Sequence, residues 1–292
     1  MNEHTKPNVF IIGFPKCGTT TVSNYLSQHS EFFYAQCSQE PQYFHEDFAP
    51  KFRKFNNEKK YLDSCYRDAG GYTCIGESTP NYIYSDVALT NILAMSPDAK
   101  IIVMLRDIPE MLYSLYRHNV RNGRENADTF STAWKRSIQS KENLNNQVTD
   151  KGDTFLTNYQ IMGSVGFYLE RVFVQVSREQ IHTIYLDDLK QNPRKTYINL
   201  LKFLKLSEES REDFQPHNTG NHDWRYKWMR KIMPQLFRWK KKIPIKFSLG
   251  LTKKLKKSVA VEKVDTELRN EINDFFEKDR NVVMQLTDIR LK

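Results

Sequence analysis

The segment VFIIGFPKCGTTTVSNYL, residues 9–26, constrains the fold more than any other part of the chain. Residues 8–13 read as a buried strand, a short loop bounded by Gly13 and Gly18 follows, and Thr19–His29 has helical spacing. A strand that feeds a helix through a tight glycine loop aims backbone N–H groups and the positive end of the helix at one spot, which suits an oxyanion. The alternation then repeats. CIGESTPNYIY (74–84) starts as a short strand and turns at Pro80, AKIIVMLRD (99–107) is an unbroken apolar strand with a charged end, and QIHTIYLDDL (180–189) is another strand. Between and after them the spacing predicts helices over 86–95, from Pro109 to Asn122 with Asp107 as its cap, over 129–143 and 160–176, after Pro193, and over 265–279. EFFYAQCSQEPQYFHEDF (31–48) reads as a pocket-lining loop. Strands alternating with helices imply an α/β fold of three layers, a central parallel sheet flanked by helices. Ligands of such sheets bind beyond the carboxyl ends of the strands, where the 13–20 loop and Arg106 both lie.

With 292 residues, 39% of them hydrophobic and 13% aromatic, the chain is globular and long enough for one large domain spanning 1–292. It has no apolar run of about 18 residues, so no membrane-spanning helix is expected, and MNEHTKPN lacks the apolar core of a signal peptide. Cys17, Cys37, Cys65 and Cys74 include no C-x-x-C pair, so neither a zinc site nor a disulfide framework is expected, and a reduced, cytoplasmic protein is the simplest reading. Charge is uneven. Between Arg225 and Lys257 there are 13 Lys and Arg and no acidic residue, so the remainder, with 31 basic against 35 acidic residues, is slightly negative.

The position of the loop lysine selects the chemistry. In nucleoside triphosphatases the lysine directly follows the second glycine of G-x-x-x-x-G and the next Ser/Thr binds Mg²⁺. Here Thr19 holds that place and Lys16 sits inside the loop. Its ammonium then lies over the cradled anion, which suits a short donor whose transferred group is bonded directly to that phosphate. A second anion contact is predicted in RDIPEMLYS, with Arg106 at a strand end and Ser114 in the following helix.

FPKCGTT resembles the 5′-phosphosulfate loop of the sulfotransferases that use 3′-phosphoadenosine 5′-phosphosulfate (PAPS), and RDIPEMLYS is similar to their 3′-phosphate motif. QEPQYF (39–44) and GESTPNYIY (76–84) are similar to the K-E-x-x-F-F and E-K-T-P-x-Y-F segments of the heparan-sulfate branch, and the resemblance runs in order over about 8–206. It implies a P-loop-type α/β fold and PAPS as co-substrate without a metal. Lys16, Cys17, Gly18, Thr19, Thr20 and Thr21 would hold the 5′-phosphosulfate, Arg106 and Ser114 the 3′-phosphate, and Arg225 would close over the nucleotide. Glu40 would be the base toward a hydroxyl or amine of a carbohydrate or glycolipid acceptor, with Lys16 also serving catalysis. Two positions depart from the branch: Gln42 stands where relatives have histidine, and Ser78 where E-K-T-P has lysine. His45 is the next candidate base, with a local hydrogen bond the simpler expectation; Glu77 could bind acceptor hydroxyls but is expected to satisfy backbone donors before Pro80; His217 and His222 are expected to bind no metal.

The basic aromatic stretch 224–257 fits an acidic acceptor glycan, an anionic membrane surface such as the inner membrane face, or a solvated basic face. No nucleic-acid reader motif accompanies it. An atypical P-loop small-molecule kinase and a non-catalytic polyanion- or membrane-surface binding protein are the alternatives. The displaced lysine speaks against the first, and two separate anion contacts against the second.

Overall fold

The computed structural model describes residues 5–139, 152–209, 211, 213–215 and 264–292, and the backbone of 222–224 and 256–258. Five strands form one parallel sheet: β1 (Val9–Gly13), β2 (Phe32–Tyr34), β3 (Cys74–Ser78), β4 (Lys100–Leu105) and β5 (Ile181–Tyr185), in the order β2-β3-β1-β4-β5. The most apolar segments take the middle. Every residue of β1 is buried, and β1 pairs with β4 from Val9↔Lys100 to Gly13↔Met104 and with β3 from Val9↔Gly76 to Ile11↔Ser78. Continuous apolar runs are what a strand covered on both faces requires. Gly13 permits the close β1–β4 approach at the strand end: a Cβ there would stand 2.6 Å from the Met104 carbonyl oxygen, at φ +138.

The helices that cover the sheet are α1 (Thr19–Leu26), α2 (Glu58–Cys65), α3 (Ala88–Met95), α4 (Ile108–Arg121), α5 (Phe130–Gln139), α6 (Asp153–Leu156), α7 (Tyr159–Gly163), α8 (Val165–Gln175), α9 (Leu186–Gln191), α10 (Pro193–Leu204), α11 (Thr266–Phe275) and α12 (Glu277–Thr287). A short antiparallel pair, β6 (His222–Trp224) and β7 (Lys256–Ser258), lies outside the main sheet. Among the described residues no helix is long and apolar enough to cross a membrane, and no cluster of three His, Cys, Asp or Glu could hold a metal.

Several expectations are corrected. The segment read as a loop over 31–48 begins with β2, a three-residue edge strand paired with β3. The strand expected over 180–189 ends at Tyr185, because Asp187 and Asp188 stand in the first turn of a helix, where negative charge favours the helix N-terminus. The helix expected over 160–176 breaks at Ser164 and the one over 265–279 at Phe276. Both breaks serve one contact. Phe276 turns its ring onto Gly163, where a Cβ would come within 2.4 Å of it, and against Trp134. Asp107 does not cap α4 with its side chain, which is spent on Arg269 instead. Cys37 and Cys65 form a disulfide with a Cα–Cα distance of 4.5 Å, so the expectation of no disulfide fails. The end of α2 packs on the chain leaving β2, where the Gln36 N–H donates to the Cys65 carbonyl at 3.1 Å. That pairing across 28 residues leaves no mark in cysteine spacing, and the argument from cysteines for a reducing compartment falls with it.

Candidate active site

The loop between β1 and α1 is built to present backbone. Lys16 has φ 66 and Gly18 φ 89, two left-handed turns that bring the chain round from the strand end into the helix. The N-terminus of α1 has neither a side-chain cap nor an acidic residue in its first turn, and with the Thr21 N–H already donating to the Gly18 carbonyl at 2.9 Å, the N–H groups of Thr19 and Thr20 remain for an exogenous acceptor. Thr19 and Thr21 are buried, while Thr20 is half-buried. Cys17 is wholly buried and burial pushes its thiol up to about 12, which keeps it neutral and leaves its backbone as what it offers the loop.

Arg106, at the end of β4, donates from Nη1 to the Lys16 carbonyl at 3.1 Å and pairs through Nη2 with Glu110 at 3.6 Å. The arginine is thereby tied to the loop itself. Ser114 lies half-buried on α4, two helical turns along from Arg106. The Lys16 ammonium is drawn down from its ordinary value by burial first, then by Arg121 and Arg106, and the Glu40 charge opposes this.

Glu40 stands on the opposing loop. Burial raises its carboxyl above the usual range, while Lys54, the Gln42 amide and Lys16 draw it back down. Gln42, itself at φ 56, donates from Nε2 to Glu40 Oε2 at 3.3 Å. Lys54 braces this loop twice: its Nζ donates to the Ser38 hydroxyl and the Glu40 carbonyl, both at 2.5 Å, and its backbone N–H donates to the Gln42 carbonyl at 3.2 Å. Lys16 and Glu40 therefore lie near enough for each charge to act on the other.

Residues 6–287 match the family described as "Sulfotransferase domain". The chain belongs to this family. A "Bifunctional heparan sulfate N-deacetylase/N-sulfotransferase 1" of Caenorhabditis briggsae is 23% identical over 210 residues, covering 71% of this chain and 23% of that protein. The "Membrane-associated sulfotransferase kil1" of Dictyostelium discoideum is 24% identical over 287 aligned residues, covering 74% of this chain and 60% of that protein. The chain thus spans less than two thirds of either relative. The crystal structure of a sulfotransferase from Alicyclobacillus acidocaldarius superposes with a TM-score of 0.70 at 20% identity, covering 97% of this chain and 96% of that one, so the two share a fold.

In this member of the family Glu77 does something the sequence reading missed. It does not serve backbone donors before Pro80. Its carboxyl is fully buried and accepts from Tyr61 at 2.6 Å, Tyr66 at 2.9 Å and Tyr82 at 2.7 Å. The Tyr82 hydroxyl in turn accepts the N–H groups of Tyr43 and Phe44 at 3.0 and 3.3 Å, and Thr79 Oγ accepts that of Gln42 at 3.3 Å. Glu77 is the hub from which the Glu40 loop hangs. Ser78 is buried beside the Tyr34 hydroxyl, which lies within hydrogen-bonding reach of both Ser23 and Ser78 and donates to the Gln39 carbonyl at 2.9 Å. His45 Nε2 meets the Phe52 carbonyl at 2.9 Å, the local bond expected of it.

His118 was also missed. Burial, Lys16, Arg121 and Arg124 hold its imidazole down to about 3, so it is neutral at the site's edge. Lys54 carried no distinguishing mark among the lysines of its segment, and His118 lay within RDIPEMLYSLYRH without a motif position of its own. Arg225, His217 and most of the 224–257 stretch lie outside the described residues.

Proposed function

We propose that this sulfotransferase moves a sulfonyl group from PAPS to a hydroxyl or amine of a carbohydrate-type acceptor, with the chain working as one unit from 1 to 292. The observation that carries the reading is the bond from Arg106 to the Lys16 carbonyl at 3.1 Å, which joins the strand-end arginine to the glycine loop, with Glu40 close enough for its charge to act on Lys16. Two anion contacts tied together suit a nucleotide that carries phosphate at both ends. The 5′-phosphosulfate supplies the sulfonyl group when bound.

The chain's own residues then divide the work. The loop N–H groups from Lys16 to Thr20 and the hydroxyls of Thr19, Thr20 and Thr21 hold the 5′-end, and Arg106 with Ser114 holds the 3′-end. Glu40 takes the proton of the attacking group, which a carboxyl raised by burial does more effectively than an ordinary one. Lys16 meets charge on the departing phosphate oxygen. Lys54 is the cation nearest in effect to Glu40, and it supports the view that the lysine missing at Ser78 is replaced from another segment. The carbohydrate acceptor rests on the segments similar to the heparan-sulfate branch and on the named activity of the nematode relative.

Titration calorimetry of the metal-free protein with 3′-phosphoadenosine 5′-phosphate (PAP), beside ATP with Mg²⁺, tests the donor half. PAP binding that weakens in Lys16→Ala and Arg106→Ala is expected, and a preference for Mg-ATP sinks the reading. For the acceptor half, Glu40→Gln is expected to abolish transfer from PAPS to saccharide acceptors while PAP still binds. A Glu40→Gln protein that keeps most of its activity removes Glu40 from the role.

A further inference from the structure

Two carboxylates stand in the turn that follows Arg106, the side chain assigned to an anion. Glu110 approaches Arg106 Nη2 at 3.6 Å through Oε2. Asp107 is 3% exposed, and its Oδ1 has no hydrogen-bond partner among the described residues. Left alone, this pair would repel an incoming phosphate, and Glu110 would compete with it for the guanidinium.

The chain answers this from 159 and 162 residues downstream. Arg269, on α11, donates from Nη2 to Asp107 Oδ2 at 2.8 Å and from Nη1 to Glu110 Oε1 at 3.1 Å. One guanidinium fork takes an oxygen from each carboxylate, a geometry that arginine provides and lysine does not. The four side chains, Arg106, Arg269, Asp107 and Glu110, then sum to zero charge. Without Arg269 they sum to −1 at the point where a phosphate must dock.

We propose that Arg269 is a positioning residue of the donor site, which pins Asp107 and Glu110 so that Arg106 remains available to the 3′-phosphate of the nucleotide. The inference rests on the reading of Arg106 as a phosphate contact. It gives α11 a function in donor binding although its residues lie outside both nucleotide motifs.

The probe is PAP, measured by titration calorimetry at fixed ionic strength on the wild type and on Arg106→Ala, Arg269→Met, Glu110→Gln and Arg269→Met/Glu110→Gln. Methionine keeps most of the arginine stem and removes the charge. Arg269→Met is expected to weaken PAP binding about tenfold, on the scale of one close like-charge added beside a bound phosphate. The double variant is expected to return to within about threefold of wild type, because the competing carboxylate is gone. A purely structural role for Arg269 would not be rescued by Glu110→Gln. Glu110→Gln alone keeps the Arg269 charge and its Asp107 contact, and leaves Nη1 an amide oxygen to donate to; it is expected to bind PAP at least as tightly as wild type, so the test stands even if the Arg269 variants fold poorly. Weaker binding by Glu110→Gln, unchanged binding by Arg269→Met, or a double variant as weak as Arg269→Met overturns the proposal. Failure of wild type to bind PAP, or Arg106→Ala binding as well as wild type, instead overturns the donor-site reading and this inference with it.

Discussion

Replacing Glu77 by alanine removes the acceptor that three buried tyrosine hydroxyls share, and the structure allows the cost to be worked out. The Tyr61 and Tyr66 hydroxyls lie 3.1 Å apart, so without Glu77 one can donate to the other and a single hydrogen of that pair is orphaned. The Tyr82 hydroxyl still accepts from the Tyr43 and Phe44 N–H groups but loses its own acceptor. Two buried donors are left unmade, at about 1–3 kcal/mol each, for a loss of about 2–6 kcal/mol. At about 2 °C per kcal/mol for a chain of this size, Glu77→Ala is expected to melt about 4–12 °C below wild type by circular dichroism. Because Tyr82 carries the backbone of the Glu40 loop, transfer is expected to fall while PAP affinity holds. Glu77→Gln should be milder, since an amide keeps one acceptor and its N–H groups can donate to tyrosine oxygens. The pH dependence has a definite sign. Burial raises the folded-state pKa of Glu77 above its unfolded value, so the folded form pays to ionise it, and that part of the stability is lost as pH rises from the unfolded value through the folded one. The deficit of Glu77→Gln against wild type is therefore smaller at pH 7 than at pH 4.5. A Glu77→Ala protein that melts within a degree of wild type, or loses PAP affinity along with transfer, refutes the hub.

Three further outcomes are expected. Cys37→Ser should lower stability by about 3–4 kcal/mol, from the chain entropy released when a link across 28 residues opens, and wild type in dithiothreitol should melt where the variant does. Alkylating thiols at the moment of cell lysis will show whether the bridge is closed in its own compartment, and unchanged melting on reduction argues against the bond. Transfer should fall on the acid side as pH drops through the raised pKa of Glu40, at a midpoint above 4.5, and Lys54→Ala should move that midpoint higher by removing a cation that draws it down; a pH–rate profile flat across the carboxylate range denies Glu40 the proton. Gly18→Ala, at φ +89, should cost about 1–2 kcal/mol and weaken PAP at least tenfold in a titration, because the loop turns there into α1.

The central strands and the loop and arginine at their ends were legible because they are local. An apolar run ending in glycine or arginine announces a buried strand and what stands at its mouth, and β1, β4, Gly18 and Arg106 all lie as read. What stayed hidden depends on pairing across the chain. β2 has three residues and takes its identity from β3. The partners of Glu77 stand 5, 11 and 16 residues away on two other elements. Lys54 reaches Glu40 from the segment leading into α2, and Arg269 reaches Asp107 across 162 positions. Asp107 looked like a cap because its place before a helix fits one, yet a half-buried arginine fork binds a carboxylate more strongly than a backbone N–H does.

Lys16 has one consequence beyond the chemistry assigned to it. It occupies at φ 66 a backbone conformation that glycine adopts without penalty, and its ammonium is half withdrawn from water. Lys16→Gly should therefore give a protein that is more heat-resistant, by about 1 kcal/mol, and inert. Any laboratory selection that rewards thermal endurance alone would discard this side chain early, and lineages evolved that way should be sequenced first at position 16.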